Sequence, residues 1–534
     1  MLKYKAIRYI LFFFALLAAI SGNAASYAET SALNTGKWVK IKVEDTGIYQ
    51  ISAATLSGWG FSDISKVKIF GYGGAMISEI MGNGYIDDLP QVPVMRSGNR
   101  ILFYAQSNVS WTETSGKIRF QQQQNPYATA GYYFITDRND IDVAEMQTTA
   151  KAEKASDKVI TNTLARICHE KELYAPGTTG RTLLGEDFRT AGTQSFQFNL
   201  PGIVSDTDPV VKVAFAAYHT SGTARALTVT SGKQEVMKVS VSSLSGSNEY
   251  DICSTASSIG TVSYPGEKMT LQLSFSTGTA VRLANLDYIT VNYLRNLNLA
   301  DKQIDFRSFT ANCRDSVFAV SGINEKTAIW DVTTTYAPLK VDFLADNASA
   351  QFRQTENGKR EYVAFNTAAS FPTPSLVGNV SNQDIHAMTP PTMLIITPAA
   401  FRNQAESLAA MHRANDSMAV TVLTDEQIYN EFSSGTPDAM AYRKVAKMWY
   451  DRTASADKYS NDKFRYLLLF GRAVFDNRRI TSTARNLGYP TLLTWESADI
   501  TSESSSFNTD DVYGFLEDGS EPAQNVYRHR THPR

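Results

Sequence analysis

The sequence predicts a multidomain protein in which all-β units of the sandwich or jelly-roll kind precede an α/β domain with a parallel sheet. Three observations carry this. A chain of 534 residues has room for about three or four domains of roughly 150 residues each. Most of it, from about Lys37 to Phe365, is short alternating apolar runs broken by Gly, Asn and Asp, with Tyr 26 and Phe 27 in the composition. After Pro390-Pro391 the text changes to unalternating apolar strands separated by helical patterns.

The elements follow in order. Lys3, Lys5 and Arg8 precede the apolar run Ile10 to Ile20 and the small residues Ser21 to Ala25. This is the pattern of a secretory signal peptide over 1–25, its apolar run too short for the roughly 30 Å of a bilayer core. WVKIKVEDTGIYQIS reads as two strands joined at Asp45-Thr46-Gly47; KVKIFGYGG, RILFYAQ and GYYFITD add more, for a β-rich unit over 30–140. Residues 141–165, polar and rich in Lys, Ala and Glu, read as a linker or surface helix. FQFNL, VVKVAFAAY, ALTVT, MTLQLSFS and YITVNYLRNL alternate as the strands of a β-sandwich over 166–300, and 301–388 continues as a further β segment. MLIIT, AVTVL and YLLLF are buried parallel strands of an α/β unit over 389–526. Phe401, Ala405, Leu408 and His412, then Tyr442, Val445 and Trp449, recur at helical spacing between them, with Asp438 near the second helix start. Ligands of such sheets sit beyond the carboxyl ends of the strands, here after Thr397, Leu423 and Phe470.

Composition excludes several classes. Lys+Arg 51 against Asp+Glu 53 gives a net charge of -2, which argues against a protein whose whole surface attracts nucleic acid. Three cysteines exclude a disulfide-dense scaffold and a Cys-rich zinc module. In an exported chain Cys168, Cys253 and Cys313 have a pairing to settle; buried free thiols are the favoured reading. No GxSxG, HExxH or GxxxxGK[ST] occurs. Gly71-Tyr72-Gly73-Gly74 lacks the Lys and helix of a phosphate loop and reads as a tight turn. Cys168 and His169 are strand neighbours, so they point to opposite faces and cannot act as nucleophile and base. His219, His386 and His412 read as structural histidines. Asp510 and Asp511 are weak calcium candidates, the only metal-binding suggestion in the sequence; a solvated loop or helix cap is the stronger reading. No other cofactor is implied.

The blocks IYNEFSSGTPDAMAYRKVAKMWYD, YLLLFGRAVFDNR and TDDVYGFLEDG, in that order and spacing, resemble the gingipain-type cysteine peptidase family. The upstream blocks GKWVKIKVEDTGIYQIS, KIFGYGG, YIDDLPQVPV, NPYATAGYYFIT and NLDYITVNYLRNL resemble its surface sortases of the type IX secretion system. The resemblance implies β-rich units ahead of a caspase-like α/β peptidase domain, of which this chain carries a truncated first part. It implies a protein exported to the outer membrane surface of Bacteroidota. Its partners would be cargo proteins with C-terminal sorting domains, anionic lipopolysaccharide and outer-membrane components of the same export system. The reaction would be acyl transfer through a Cys thioester, with a His moving the proton. Tyr429, Asn430, Glu431, Phe432, Gly435, Gly471, Asp476, Asp510, Asp511, Tyr513 and Gly514 occupy scaffold positions of the family. Arg472 departs from it, since an acidic residue often follows that glycine. The family's catalytic His and Cys lie downstream of the DDVYG-like block; after Asp511 this sequence holds only His529 and His532, and no Cys follows Cys313. No catalytic residue is therefore assigned. Alternatives are a non-catalytic cell-surface binding module and a fragment of a secreted gingipain-like protease.

Residues 527–534, YRHRTHPR, break the composition. A codon string for them, shifted by one base, reads Asp-Ile-Gly-Ile-Gly-Arg-Ile-Pro, the text the family carries at this place. The expectation is an out-of-frame tail after Val526.

Overall fold

The computed structural model describes residues 27–522, apart from 150–158, 178–179, 221, 277, 279, 309–315, 347, 355–357 and 458. The signal-peptide segment, Cys313 and the 527–534 tail lie outside the described residues.

The first unit is two packed sheets. Ser375–Val380, Trp38–Val43, Gly131–Thr136, Lys68–Phe70 and Gln91–Val92 form one, in that order; Gly47–Ser52, Arg100–Ala105 and Met95–Ser97 form the other. Ile41, Ile51, Phe103 and Tyr133 fill the space between them. The Asp45-Thr46-Gly47 turn therefore joins two strands of different sheets, not the arms of a hairpin.

The second unit is the expected sandwich. Asn162–Glu170, Val281–Asn296, Val210–His219 and Ser254–Thr261 make one sheet, and Thr193–Asn199, Lys268–Phe275, Arg225–Ser231 and Gln234–Val241 the other. Lys268–Phe275 shows the cause: every second side chain is buried, and Met269, Leu271, Leu273 and Phe275 enter a core shared with Phe215 and Val291.

Two boundaries differ from the sequence reading. The 141–165 linker is irregular over 141–149, with no helix there, but Val159–Ile160 and Asn162–Glu170 are already strands. The 301–388 segment is a second sandwich only as far as Asn366. Its sheets are Val159–Ile160, Val317–Ser321, Ser349–Arg353 and Leu344–Asp346 on one side, and Gln303–Arg307, Glu361–Asn366, Thr327–Asp331 and Leu339–Lys340 on the other. Phe306, Phe318, Phe352 and Tyr362 interlock ring on ring in its core. Ser375–Val380 then leaves it and pairs with Trp38–Val43 in the first unit.

The α/β unit follows. Strand β1 (Met393–Thr397) lies between β2 (Val420–Thr424) and β3 (Tyr466–Leu469), all parallel, with Ile395 opposite Val422 and Leu468. Helix α1 (Arg402–Asn415) buries Ala405 and Ala409 against the sheet. Phe401 lies in the 3-10 turn before it, and His412 bonds Asp416 across one helical turn, Nδ1 to Oδ2 at 2.6 Å. Between β2 and β3 run two helices where one was expected. Helix α2 (Asp425–Phe432) starts with a capping box: Thr424 Oγ1 accepts from Gln427 N, and Thr424 N donates to Gln427 Oε1. Helix α3 (Met440–Arg452) is buried almost all round, with Tyr442, Val445 and Trp449 fully inside. Its cationic side chains stay buried because carbonyls receive them: Lys444 Nζ donates to Ile86 O at 2.7 Å and Phe432 O at 2.8 Å, and Arg443 to Glu79 O at 2.7 Å. Residues 74–90 of the first unit thus run against α3 as a strap, and the first unit and the α/β unit share a core in which Tyr127, Met440 and Tyr513 meet.

Candidate functional site

The carboxyl ends of β1, β2 and β3 point to one rim, as the sequence predicted. There Thr397 Oγ1 donates to Phe470 O at 2.9 Å, and Gly471 packs against Leu492 and Pro398 so closely that a Cβ would lie 3.1 Å from Leu492. The loop after β3 folds on its own polar side chains. Asp476 sits at φ 52 and accepts from Ile480 N at 3.0 Å and Thr481 N at 2.6 Å. Asn477 closes the turn onto the next segment, donating to Thr494 O at 3.0 Å and Glu496 Oε1 at 2.9 Å and accepting from Thr494 N.

Glu496 is 1% exposed. Burial, with the charge of Asp476 beside it, pushes its carboxyl up to about 8 against the pull of Arg181 and Arg478. Its Oε2 has no protein partner, and it lines a cavity of about 10 Å³ together with Arg181 and Arg478, space for one water. The rim therefore carries a carboxylic acid that is largely protonated at neutral pH. The second unit reaches the same rim through two ion pairs. Arg478 forks onto Glu172, and Arg181 meets Glu79 at 2.6 Å, while Glu79 also accepts from Trp495 Nε1 at 2.7 Å.

His386 lies on the opposite flank and was read as structural. It is that, in a cluster the sequence did not reveal. Nδ1 meets Glu431 Oε2 at 2.7 Å, Nε2 meets Asp87 Oδ1 at 3.2 Å, and the ring stacks on Phe432 at 4.8 Å. Burial pulls the imidazole pKa down, but the hydrogen bonds to Asp87 and Glu431 and the charges of Asp88 and Glu431 outweigh it and lift it to about 9. Asp88, His386 and Glu431 bring ligand atoms within 4.8 Å of one another, the spacing of a metal site. Their chemistry does not fit one. Glu431 already accepts from Ile385 N, His386 N and Gln383 Nε2, Asp88 accepts from Ser31 Oγ and Ala32 N, and a protonated imidazole stands where the ion would be. The cluster is an ion clamp joining the first unit, the 383–386 connection and α2.

Asp438 is a second joint. It accepts from Met440 N at 2.9 Å at the start of α3 and from Ile77 N of the strap at 3.0 Å; burial pushes it up to about 7 against those hydrogen bonds. The Gly71–Gly74 turn is a third. Tyr72 N and Gly73 N donate to Ser434 Oγ at 2.9 and 3.3 Å, and a Cβ on Gly71, at φ 121, would overlap that oxygen.

Of the other sequence candidates, Asp510 and Asp511 directly follow the Asn508–Thr509 strand that pairs with Trp495–Glu496 of the rim. Asp510 and Asp511 are exposed at the start of the 3-10 turn Asp511–Gly514, and no group of three or more metal-ligating side chains includes them among the described residues. Asp510 occupies the N-cap position of that turn, but its side chain makes no capping hydrogen bond. Cys168 and Cys253 are free thiols of the second unit; Cys253 Sγ donates to Ile500 O at 3.3 Å, and burial pushes both up to about 12. His169 bonds Glu186 at 3.0 Å and His219 bonds Val241 O at 3.1 Å, each as a packed histidine. Of the scaffold positions, Tyr429, Phe432 and Tyr513 are core, and Glu431 anchors the clamp.

Residues 386–529 match the sequence model of peptidase family C25. That segment resembles the gingipain family. The C25 segment coincides with the α/β unit and begins at His386 of the clamp. The whole architecture, β units included, matches the crystal structure of dimeric latent PorU from Porphyromonas gingivalis. The TM-score is 0.83 at 28% identity, over 92% of this chain and 47% of that one. The chain thus spans about half the length of the solved protein it matches. An isomalto-dextranase of Arthrobacter globiformis (13% identity, 49% of this chain and 36% of that one, TM-score 0.17) and an insecticidal delta-endotoxin of Bacillus thuringiensis (12%, 47% and 53%, 0.17) also align, but so loosely that they carry no argument. No curated protein matches the sequence. Among the described residues no helix is long and apolar enough to cross a membrane.

Proposed function

We propose that this chain is the N-terminal portion of a cell-surface cysteine peptidase that acts as the sortase of a type IX secretion system. The observation that carries this is the joint match of the β units and the C25 segment to PorU, in one order and over 92% of the chain. A secreted protease sharing only the peptidase domain would not require the same β units ahead of it. In this reading the protein sits on the outer membrane surface, cuts the C-terminal sorting domain from cargo proteins, and passes the new carboxyl end through a Cys thioester to anionic lipopolysaccharide. In this reading none of these 534 residues is assigned as the nucleophile or its His. The chain's own residues supply the scaffold: β1 to β3 set the rim, and the Asp476–Asn477–Glu496 network fixes the loop beside it.

The test is the complete gene product, incubated with a cargo protein that ends in a sorting domain, with the cargo's mass read by spectrometry. Loss of the sorting domain together with gain of a lipopolysaccharide adduct is expected. Cleavage to a free acid at several internal sites would favour a secreted protease, and binding without cleavage a surface binding module.

A further inference from the structure

A further cavity is lined by none of the rim or clamp residues described above. It has about 710 Å³, within the roughly 300–1,000 Å³ usual for small-molecule sites, and opens where the first unit and the two sandwiches meet. Its wall draws on the 44–47 turn and Trp111 of the first unit, Arg166 of the first sandwich, and Gln303, Asp305 and Glu361 of the second.

This wall is locked. Arg166 forks onto Glu361 with Nη1 to Oε1 at 3.0 Å and Nη2 to Oε2 at 3.3 Å, and its guanidinium lies 5.0 Å from the Trp111 ring centre. Arg307, 1% exposed, stands beneath and binds both Glu361, at 3.0 Å, and Asp305. Asp305 keeps 59% of its side chain exposed, and the neighbouring guanidiniums hold its carboxyl well below the usual carboxylate range. Gln303 accepts from Ile48 N at 3.2 Å, and its amide nitrogen has no partner among the described residues. A joint that served only to hold units together would bury such groups. Here they are fixed by their neighbours and still border open space, which is how a preorganised polar site is built.

The chemistry of the lining names the ligand class. The charges of the lining are mostly paired, Glu361 with Arg166 and Arg307, Asp305 with Arg307 and Arg295, and Glu44 with Lys42, so the cavity offers little net field to draw either an anion or a polycation. The Gln303 amide nitrogen supplies a donor and half-buried Trp111 supplies aromatic surface, while the amide nitrogens of Gln106 and Gln122 are spent on Ser107 O and Glu170 and Tyr104 is buried. Planar amides donate to and accept from neighbouring sugar hydroxyls, ionised carboxylates accept from them, and aromatic rings cover the C–H faces of a sugar. We infer that this cavity binds a neutral oligosaccharide. The inference is independent of the sortase reading, whose polysaccharide acceptor is anionic.

The test uses the full chain, with tryptophan fluorescence and calorimetry against maltohexaose, cellohexaose, mannohexaose and chitohexaose, with heparin and pentalysine as charged comparisons. Saturable binding of at least one neutral hexasaccharide is expected, weakened at least tenfold by Trp111→Ala and by Gln303→Ala. Tyr264→Ala, outside the lining, should leave it unchanged. Circular dichroism of each variant separates loss of binding from loss of fold, and Gln303→Ala, which removes no core contact, keeps the test open if Trp111→Ala is damaged. No saturable binding of any of the four sugars overturns the inference. So does binding that survives both lining substitutions, or capture of pentalysine alone, which would make the cavity a basic-peptide site.

Discussion

Raising the pH through the range in which His386 loses its proton should loosen the seat of the C25 segment. His386 has an unperturbed pKa near 6.5, and the clamp lifts it to about 9 in the folded protein. The folded state therefore binds the proton more tightly than the unfolded one. The stabilisation is fully present below about pH 6.5 and fades as pH rises through about 9. The rise from 6.5 to about 9 corresponds to about 3 kcal/mol. Other groups titrate in the same range. Lys444, whose pKa burial lowers to about 8, contributes with the opposite sign. The comparison must therefore be a difference. Wild type and His386→Gln are unfolded thermally from pH 6 to pH 10, roughly the interval that brackets both values. The gap between them should be widest at pH 6 and close by about pH 10, a narrowing of several degrees in Tm for a unit of this size. The imidazole should titrate near 9 by NMR. A gap that stays constant with pH, or a ring titrating near 6.5, would refute the ion clamp and leave His386 an ordinary packed residue.

Three further outcomes follow from the same contacts. Gly435→Ala should destabilise the joint between the first unit and α2 by about 2 kcal/mol or more, because φ is 73 and the new Cβ would lie 2.7 Å from Phe134 and 2.8 Å from Lys40; a Tm within about a degree of wild type would contradict this. Arg478→Ala strands Glu172, 10% exposed, without its guanidinium, a loss of about 3–5 kcal/mol for a buried pair, and proteolysis of the 471–490 loop should accelerate while the sandwich fragment stays intact. Cys168 and Cys253 should resist iodoacetamide in the folded protein at neutral pH and react at once in denaturant, since burial pushes both thiols up to about 12; rapid labelling of the native chain would show the 166–300 unit to be loosely packed.

What the sequence made legible was periodic or contiguous. Lys268–Phe275 alternates because one face of its sheet meets a core, and Met393–Thr397 does not alternate because both of its faces are covered. The C25 blocks are contiguous words, so the resemblance and the placement of α3 and β3 came with them. The losses are of another kind. Ser375–Val380 has an exposed Leu376 and Val377 and no alternation, so nothing local shows that it returns across more than 330 residues to Trp38. Helix α2 is short, and its signal was the Thr424–Gln427 capping box inside a stretch recognised as a family word. The clamp was invisible for the same reason as the returning strand: His386 meets Asp87 across 299 positions and Glu431 across 45. Glu496 shows the limit for chemistry. A glutamate in a polar loop reads as solvated, and only its burial, with the charge of Asp476 beside it, pushes it up to about 8 against Arg181 and Arg478. The joint that forms the 710 Å³ cavity is likewise a product of three units meeting.

The most direct test of the central proposal is to sequence the gene across the codons for Asn525 to Arg534 and through the stretch beyond. A frame that runs on from Val526 into the family's glycine-rich strand, a His-Gly pair and a later Cys is predicted, and it would supply the C25 segment with its missing base and nucleophile. Downstream sequence with no such frame would contradict the sortase reading and leave the β units and their cavity as what this polypeptide has to work with.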